Sequence, residues 1–287
     1  MTASAWNVRW RGSRAVERTL LHVCVVAVVL VVALPLLWMT LCSLKSTREL
    51  VGSPPTVLPA QWTMDNYRSL FTTTTFGTFF VNSALVAVGT TVISVVIGSL
   101  AAYSITRFRY RATSLFAKGM LLAYMTPSVL MATPLLIVLL KLGLVDSRIG
   151  LIVADTTFTL PVSVWLMRSY FRAIPVELEE AAMVDGCGRL RALIRVTFPL
   201  AMPGAVSVAL FVFAHAWNEF LFALIFIASA GKKTLPVGME ELLTQNQVEY
   251  WGVLLAGGVL ITLPVIVLYA ALQRKIVAGL GAGGLKA

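Results

Sequence analysis

Six long apolar runs alternate with polar connections of unequal length along the chain. The first, residues 20–42, is interrupted only by His22, Pro35 and Thr40, and its 23 residues suffice as a helix to cross a hydrocarbon core of about 30 Å. Five more follow at residues 79–103, 115–140, 149–170, 203–228 and 251–272. The pattern predicts an all-α polytopic membrane protein with six transmembrane helices. Pro127 and Pro134, Pro161, and Pro264 lie inside the third, fourth and sixth runs, where neighbouring helices can satisfy the freed carbonyls, so bends are expected there. Arg9, Arg11, Arg14 and Arg18 precede the first run as in a signal peptide, but a cleavable core is about 7–15 residues, so the run is expected to be a retained anchor.

Composition agrees. Of 287 residues 58% are hydrophobic and 13% charged, against about 45–50% and 25% in soluble domains, and mean hydropathy is +0.86. Too few charges remain to wet a soluble surface. The net charge of +10 needs no nucleic acid: with the N-terminus inside, sixteen of the 23 basic residues fall in inner segments, so both ends are expected in the cytoplasm. Cys24 and Cys42 would stand about 27 Å apart on one helix, and Cys187 is remote, so no disulfide framework is expected. His22 and His215 are the only histidines, and no cluster has metal-ligand spacing. The outer connection, residues 45–78, carries Trp62 and Tyr67 and reads either as an interfacial loop or as a spacer.

The inner connection, residues 171–202, carries the most information. Pro175 suits a helix start, Glu177, Glu179 and Glu180 suit its positive dipole end, and Gly186 supplies a stop. A second short helix is predicted from Arg189, with Leu190, Leu193, Ile194 and Phe198 at helical spacing, ended by Pro199. Such a pair cannot cross a bilayer. It reads as a projecting knob that fits a partner's cavity, with Glu180 pairing a basic group. A DNA-binding helix-turn-helix is disfavoured, because residues 177–195 carry four acids against three arginines.

These residues also match a known pattern. Glu180-Ala181-Ala182, three residues, Gly186, nine residues, then Val196-Thr197-Phe198-Pro199 resembles the EAA loop of ABC-importer permeases, with Val196 and Phe198 replacing other apolar residues. Residues 59–71 (PAQWTMDNYRSLF), Asn82-Ser83, Trp217-Asn218-Glu219-Phe220 and residues 273–287 are similar to segments of the maltose-type carbohydrate permeases. The resemblance implies a coupling-helix pair between spans 4 and 5, in which Glu180, Ala181, Ala182, Gly186 and Pro199 contact an ATPase. It implies residues 1–19 as a cytoplasmic segment, 20–273 as a six-span domain and 274–287 as a glycine-rich tail in a bacterial plasma membrane. The implied partners are a second permease forming a heterodimer, two ATP-binding subunits that hold ATP and Mg2+, and an extracytoplasmic solute-binding (lipo)protein that delivers sugar for alternating access. The chain has no G-x-x-x-x-G-K-[ST] phosphate loop, so it is not itself the ATPase and binds no cofactor.

Charges inside a bilayer cost a few kcal/mol and mark function by default. On one continuous helix, Ser207, Phe211, His215, Asn218, Glu219 and Phe222 share a face. That face either lines a sugar pathway, with Asn218 and Glu219 bonding hydroxyls and Trp217 or a phenylalanine stacking, or it packs against the partner or pairs His215 with Glu219. Asp155, toward the outer end of span 4, is expected partly solvated in a structural role. A secondary transporter or channel moving protons through Glu219 and Asp155 is the alternative, but it leaves the knob unexplained. An intramembrane enzyme lacks a nucleophile and base.

Overall fold

The computed structural model describes residues 5–108, 113–245 and 250–283, all helix and connection. In chain order the helices are α1 Ala5–Ser43, α2 Thr47–Leu50, α3 Asp65–Thr72, α4 Phe76–Arg107, α5 Thr113–Met125, α6 Ser128–Lys141 and α7 Arg148–Ala173. There follow α8 Glu177–Val184, α9 Arg189–Ala192, a π-helical turn Leu193–Thr197, α10 Phe198–Leu200, α11 Met202–Trp217, α12 Leu221–Phe226, α13 Leu235–Gln245 and α14 Trp251–Gly283. Contacts divide the chain into two units, Met1–Thr73 with Asn246–Leu260, and Thr74–Gln245 with Ile261–Ala287.

In the first unit, α1 is apolar on nearly every side over residues 20–38 and has no buried residue there within the chain, as a helix bathed in lipid does. Its end is fastened rather than loose. Buried Asn66 donates Nδ2 to the Ser43 and Lys45 carbonyls at 2.8 Å each, and the Ser43 and Tyr67 hydroxyls meet at 2.8 Å. Gly252 lies against Asn66, where a Cβ would come within 2.3 Å of Oδ1, so only glycine permits this approach. Glu49 accepts from the Thr56 hydroxyl at 2.6 Å and the Ala60 amide at 2.9 Å, and these bonds hold its carboxyl below the usual range. The connection after α1 is thus a folded element with its own polar clamp, not a spacer.

The second unit is built on α4 and α7, packed in parallel. A Cβ on Gly89 would meet Ile152, one on Gly98 would meet Ser163, and between them the Ser94 and Thr159 hydroxyls bond at 2.8 Å. Small residues let the backbones close up, as helices in lipid require. Two apolar clusters flank this seam, one around Val86, Leu139, Phe222 and Phe226, the other around Met167, Phe171, Val208 and Val212. At one end Asn82 donates to the carbonyls of Gly231 (3.1 Å) and Lys233 (2.8 Å), and the Ser83 hydroxyl accepts from the Leu235 amide at 2.8 Å.

Asp146 fastens the same region. It sits at φ +54°, accepts from the Ala228 and Ser229 amides and the Ser229 hydroxyl, and pairs with Lys232 at 2.8 Å. The Lys232 ammonium and these donors hold its carboxyl well below the ordinary carboxylate range.

Among the described residues four helices are long and apolar enough to cross a membrane: Glu17–Ser43, Phe76–Arg107, Arg148–Ala173 and Trp251–Arg274. A fifth crossing is counted if Arg189–Leu200 and Met202–Trp217, bent by 77°, form one span. The expectation of six continuous helices is therefore corrected at the third and fifth runs. Pro127, extended at ψ 129°, splits the third into α5 and α6, neither of which reaches about 20 residues. Pro161 and Pro264 lie inside unbroken helices. Pro199 does not end the helical run, which continues to Leu200 and bends at Ala201. The glycine-rich tail is helical through Gly283; Arg109, Arg111 and residues 284–287 lie outside the described residues.

Candidate coupling helix and polar break

Helix α7 stops at Ala173 because Ile174 turns extended ahead of Pro175, and α8 starts two residues later with three acids in its first turn. Its end is set by Gly186 at φ +87°, while the amides of Asp185 and Cys187 return to the carbonyls of Ala181 and Ala182 at 3.0 Å each. Glu180, Ala181, Gly186 and Pro199 are exposed, and Ala182 is half-buried. Glu180, Ala181 and the Gly186 turn thus form an open edge of α8, and Pro199 lies apart from them in α10.

Glu179, one position from Glu180, faces the other way. It is 3% exposed, and its carboxylate accepts from the Tyr103 hydroxyl at 2.9 Å and from Arg107 Nε at 2.7 Å. Arg107 Nη2 also donates to the Ile174 carbonyl at 3.0 Å. Sequence reading grouped the three acids together. The available signal was periodicity: neighbours on a helix point about 100° apart, so Glu179 and Glu180 cannot share a face.

The polar stripe of the fifth run is not continuous. Helix α11 ends at Trp217, where Asn218 Nδ2 takes the Ala214 carbonyl at 2.7 Å, and the Glu219 carboxylate caps α12 by accepting from the Phe222 amide (2.7 Å) and the Ala223 amide (3.0 Å). Glu219 is therefore satisfied by backbone and not by His215. Trp217 is 1% exposed, lies stacked on Phe213 and edge-on to Phe80, and donates Nε1 to the Ile261 carbonyl at 3.1 Å. Phe222 is 2% exposed and packs between Phe158 and Phe226. Neither ring is available for stacking on a solute. Phe211, His215 and Asn218 remain exposed, with the Phe211 and His215 rings 6.4 Å apart, and Phe211 borders an apolar groove of about 650 Å³ between α11 and α14.

Asp155 departs furthest from expectation. It is fully buried, and neither carboxylate oxygen has a hydrogen-bond partner among the described residues. The seam register that sets Ser94 against Thr159 places Thr90 opposite it, whose hydroxyl is also unpartnered among the described residues, and Glu219 lies within coulombic reach. Partial solvation is thus corrected: sequence position gave its depth in α7 but not the side facing α4. No group of three metal-ligating side chains occurs among the described residues.

Against this geometry, the family described as binding-protein-dependent transport system inner membrane component matches residues 94–281. The chain belongs to this family of ABC-importer permeases. It is 39% identical over 276 residues to the inner membrane ABC transporter permease protein YcjP of Escherichia coli strain K12, covering 94% of this chain and 98% of that one. It is also 39% identical over 254 residues to the trehalose transport system permease protein SugB of Mycobacterium tuberculosis, covering 88% and 92%. The structure of a bacterial ABC transporter that imports the acidic polysaccharide alginate shares the fold, with a TM-score of 0.75 at 23% identity over 96% of this chain and 99% of that one. The permease is thus a multi-pass inner-membrane component of a binding-protein-dependent importer and not its ATPase.

Proposed function

We propose that this permease forms half of the translocation pathway for a sugar delivered by an extracytoplasmic binding protein, working as a heterodimer with a second permease. Two ATP-binding subunits, holding ATP and Mg2+, drive alternating access by moving the segment between α7 and α11. Both termini are cytoplasmic. The six crossings are α1, α4, α5 with α6, α7, α11 through the Asn218–Phe220 break into α12, and α14.

The observation that carries this reading is the open edge of α8. Glu180, Ala181 and the Gly186 turn are presented outward while Glu179 is turned in, so the edge is free to seat in an ATPase cleft. Small alanines allow close approach, and Glu180 supplies a charge to pair with a basic group. Sugar as substrate class rests on relatives: one is named for trehalose, and a fold neighbour imports alginate. On the pathway side the candidates reduce to Phe211, His215 and Asn218, the exposed members of the α11 stripe.

Uptake of radiolabelled trehalose and maltose by proteoliposomes containing the whole importer tests the reading. ATP-dependent accumulation that survives collapse of ion gradients is expected. Accumulation that follows an ion gradient and ignores ATP contradicts it.

A further inference from the structure

The buried carboxylate on α8 does something the open edge cannot. Helix α8 is eight residues long, and besides its packing on α9 and the π-helical turn it is tied to α4 by two polar contacts, with a third just ahead of it. Tyr103 and Arg107 reach Glu179 from the last turns of α4, and Arg107 also grips the Ile174 carbonyl just ahead of α8. The side chains of Arg107 and Glu179 are 11% and 3% exposed, so removing either strands a charge away from water. Charge-assisted bonds of this length hold their partners in one geometry.

Helix α4 then carries the constraint along its length. Its 32 residues span about 48 Å. It is keyed to α7 through Gly89, Ser94 and Gly98, and its far end holds residues 231–235 through Asn82 and Ser83. Glu180 and Glu179 therefore divide the work of one helical turn: one faces out, the other joins α8 to a rod whose far end holds residues 231–235.

We propose that Glu179, Arg107 and Tyr103 are positioning residues that form a strut, transmitting displacement of α8 to α4 and so to residues 231–235. This rests on the reading of residues 171–202 as the ATPase contact. A displacement applied at the Glu180 edge moves α8 and α4 as one body. Without the strut, α8 moves alone and hydrolysis no longer rearranges the spans.

The test uses the complete importer in nanodiscs, with Cys24, Cys42 and Cys187 replaced by serine and spin labels placed at Leu178 and Val81, both exposed. Distances are measured without nucleotide and with ATP under non-hydrolysing conditions, alongside ATP hydrolysis and ATPase co-purification. In the parent chain the 178–81 distance is expected to stay constant while distances to the ATPase change. With Glu179→Ala the complex still hydrolyses ATP, and the 178–81 distance changes by about 5 Å, roughly one turn of rise, when nucleotide binds. Glu179→Gln, which keeps an acceptor, and Tyr103→Phe, which removes one bond, are expected to show smaller changes in that order and decide the matter if Glu179→Ala fails to insert. A 178–81 distance unaffected by nucleotide in every assembled variant overturns the strut. Loss of the ATPase contact reading is separately visible, because the Glu180→Ala chain would then retain its ATPase subunits.

Discussion

The two polar regions of this permease treat buried carboxylates in opposite ways. At α8, Glu179 is enclosed by a guanidinium and a hydroxyl that both donate to it. Along the α4/α7 seam, Asp155 is at least as deeply enclosed, yet neither oxygen has a hydrogen-bond partner among the described residues, and nearby Glu219 relies on the backbone amides of α12. A satisfied buried charge fixes one arrangement, whereas an unsatisfied one costs stability and is retained for another reason. The α8 region is built to hold its shape. The seam instead encloses a polar group whose burial no hydrogen bond offsets among the described residues.

Substitutions that invert this contrast should have effects of opposite sign. Glu179→Ala leaves Arg107 unpaired and is expected to destabilise by ~3 kcal/mol, read as a lowered midpoint of thermal unfolding in detergent. Asp155→Leu removes an unpartnered acid at similar volume and is expected to stabilise by ~1 kcal/mol in the same assay, and a loss as large as that of Glu179→Ala would erase the distinction. Glu219→Ala removes the cap of α12 and is expected to cost ~1 kcal/mol, with Glu219→Gln recovering part of it.

The smallest effect is expected at the Asp146 clasp, which is open to solvent. Its folded pKa lies below the unfolded one, so its contribution is present above the unfolded carboxylate range and is lost as pH falls through the lower folded value. Acid unfolding of Asp146→Asn should therefore diverge from the parent at neutral pH and converge with it in strong acid. The opposite trend would mean that the Lys232 pairing is not what holds this carboxyl.

Much of this was legible in the sequence because it depended on local order. The first, second, fourth and sixth spans follow from run length, and the α8 turn follows from glycine at position 186, where a left-handed residue is needed. The break at Asn218–Phe220 was not legible, since Asn218 and Glu219 terminate and start helices through side-chain bonds to backbone inside an otherwise apolar run. Nor were the burial of Trp217 and Phe222, which of Glu179 and Glu180 turns inward, or the position of Asp155 on the seam. Each depends on which neighbour covers a helix face, and a run of apolar residues on every side does not specify that.

The proposed division of tasks between the two adjacent acids of α8 is read most directly by co-purification of the ATPase subunits. Affinity-tagged permease with Glu180→Ala should insert and unfold at the parent temperature yet lose its ATPase subunits, whereas Glu179→Gln should keep them. Full retention of the ATPase by Glu180→Ala, or its loss from Glu179→Gln in a chain that remains folded, would contradict the account.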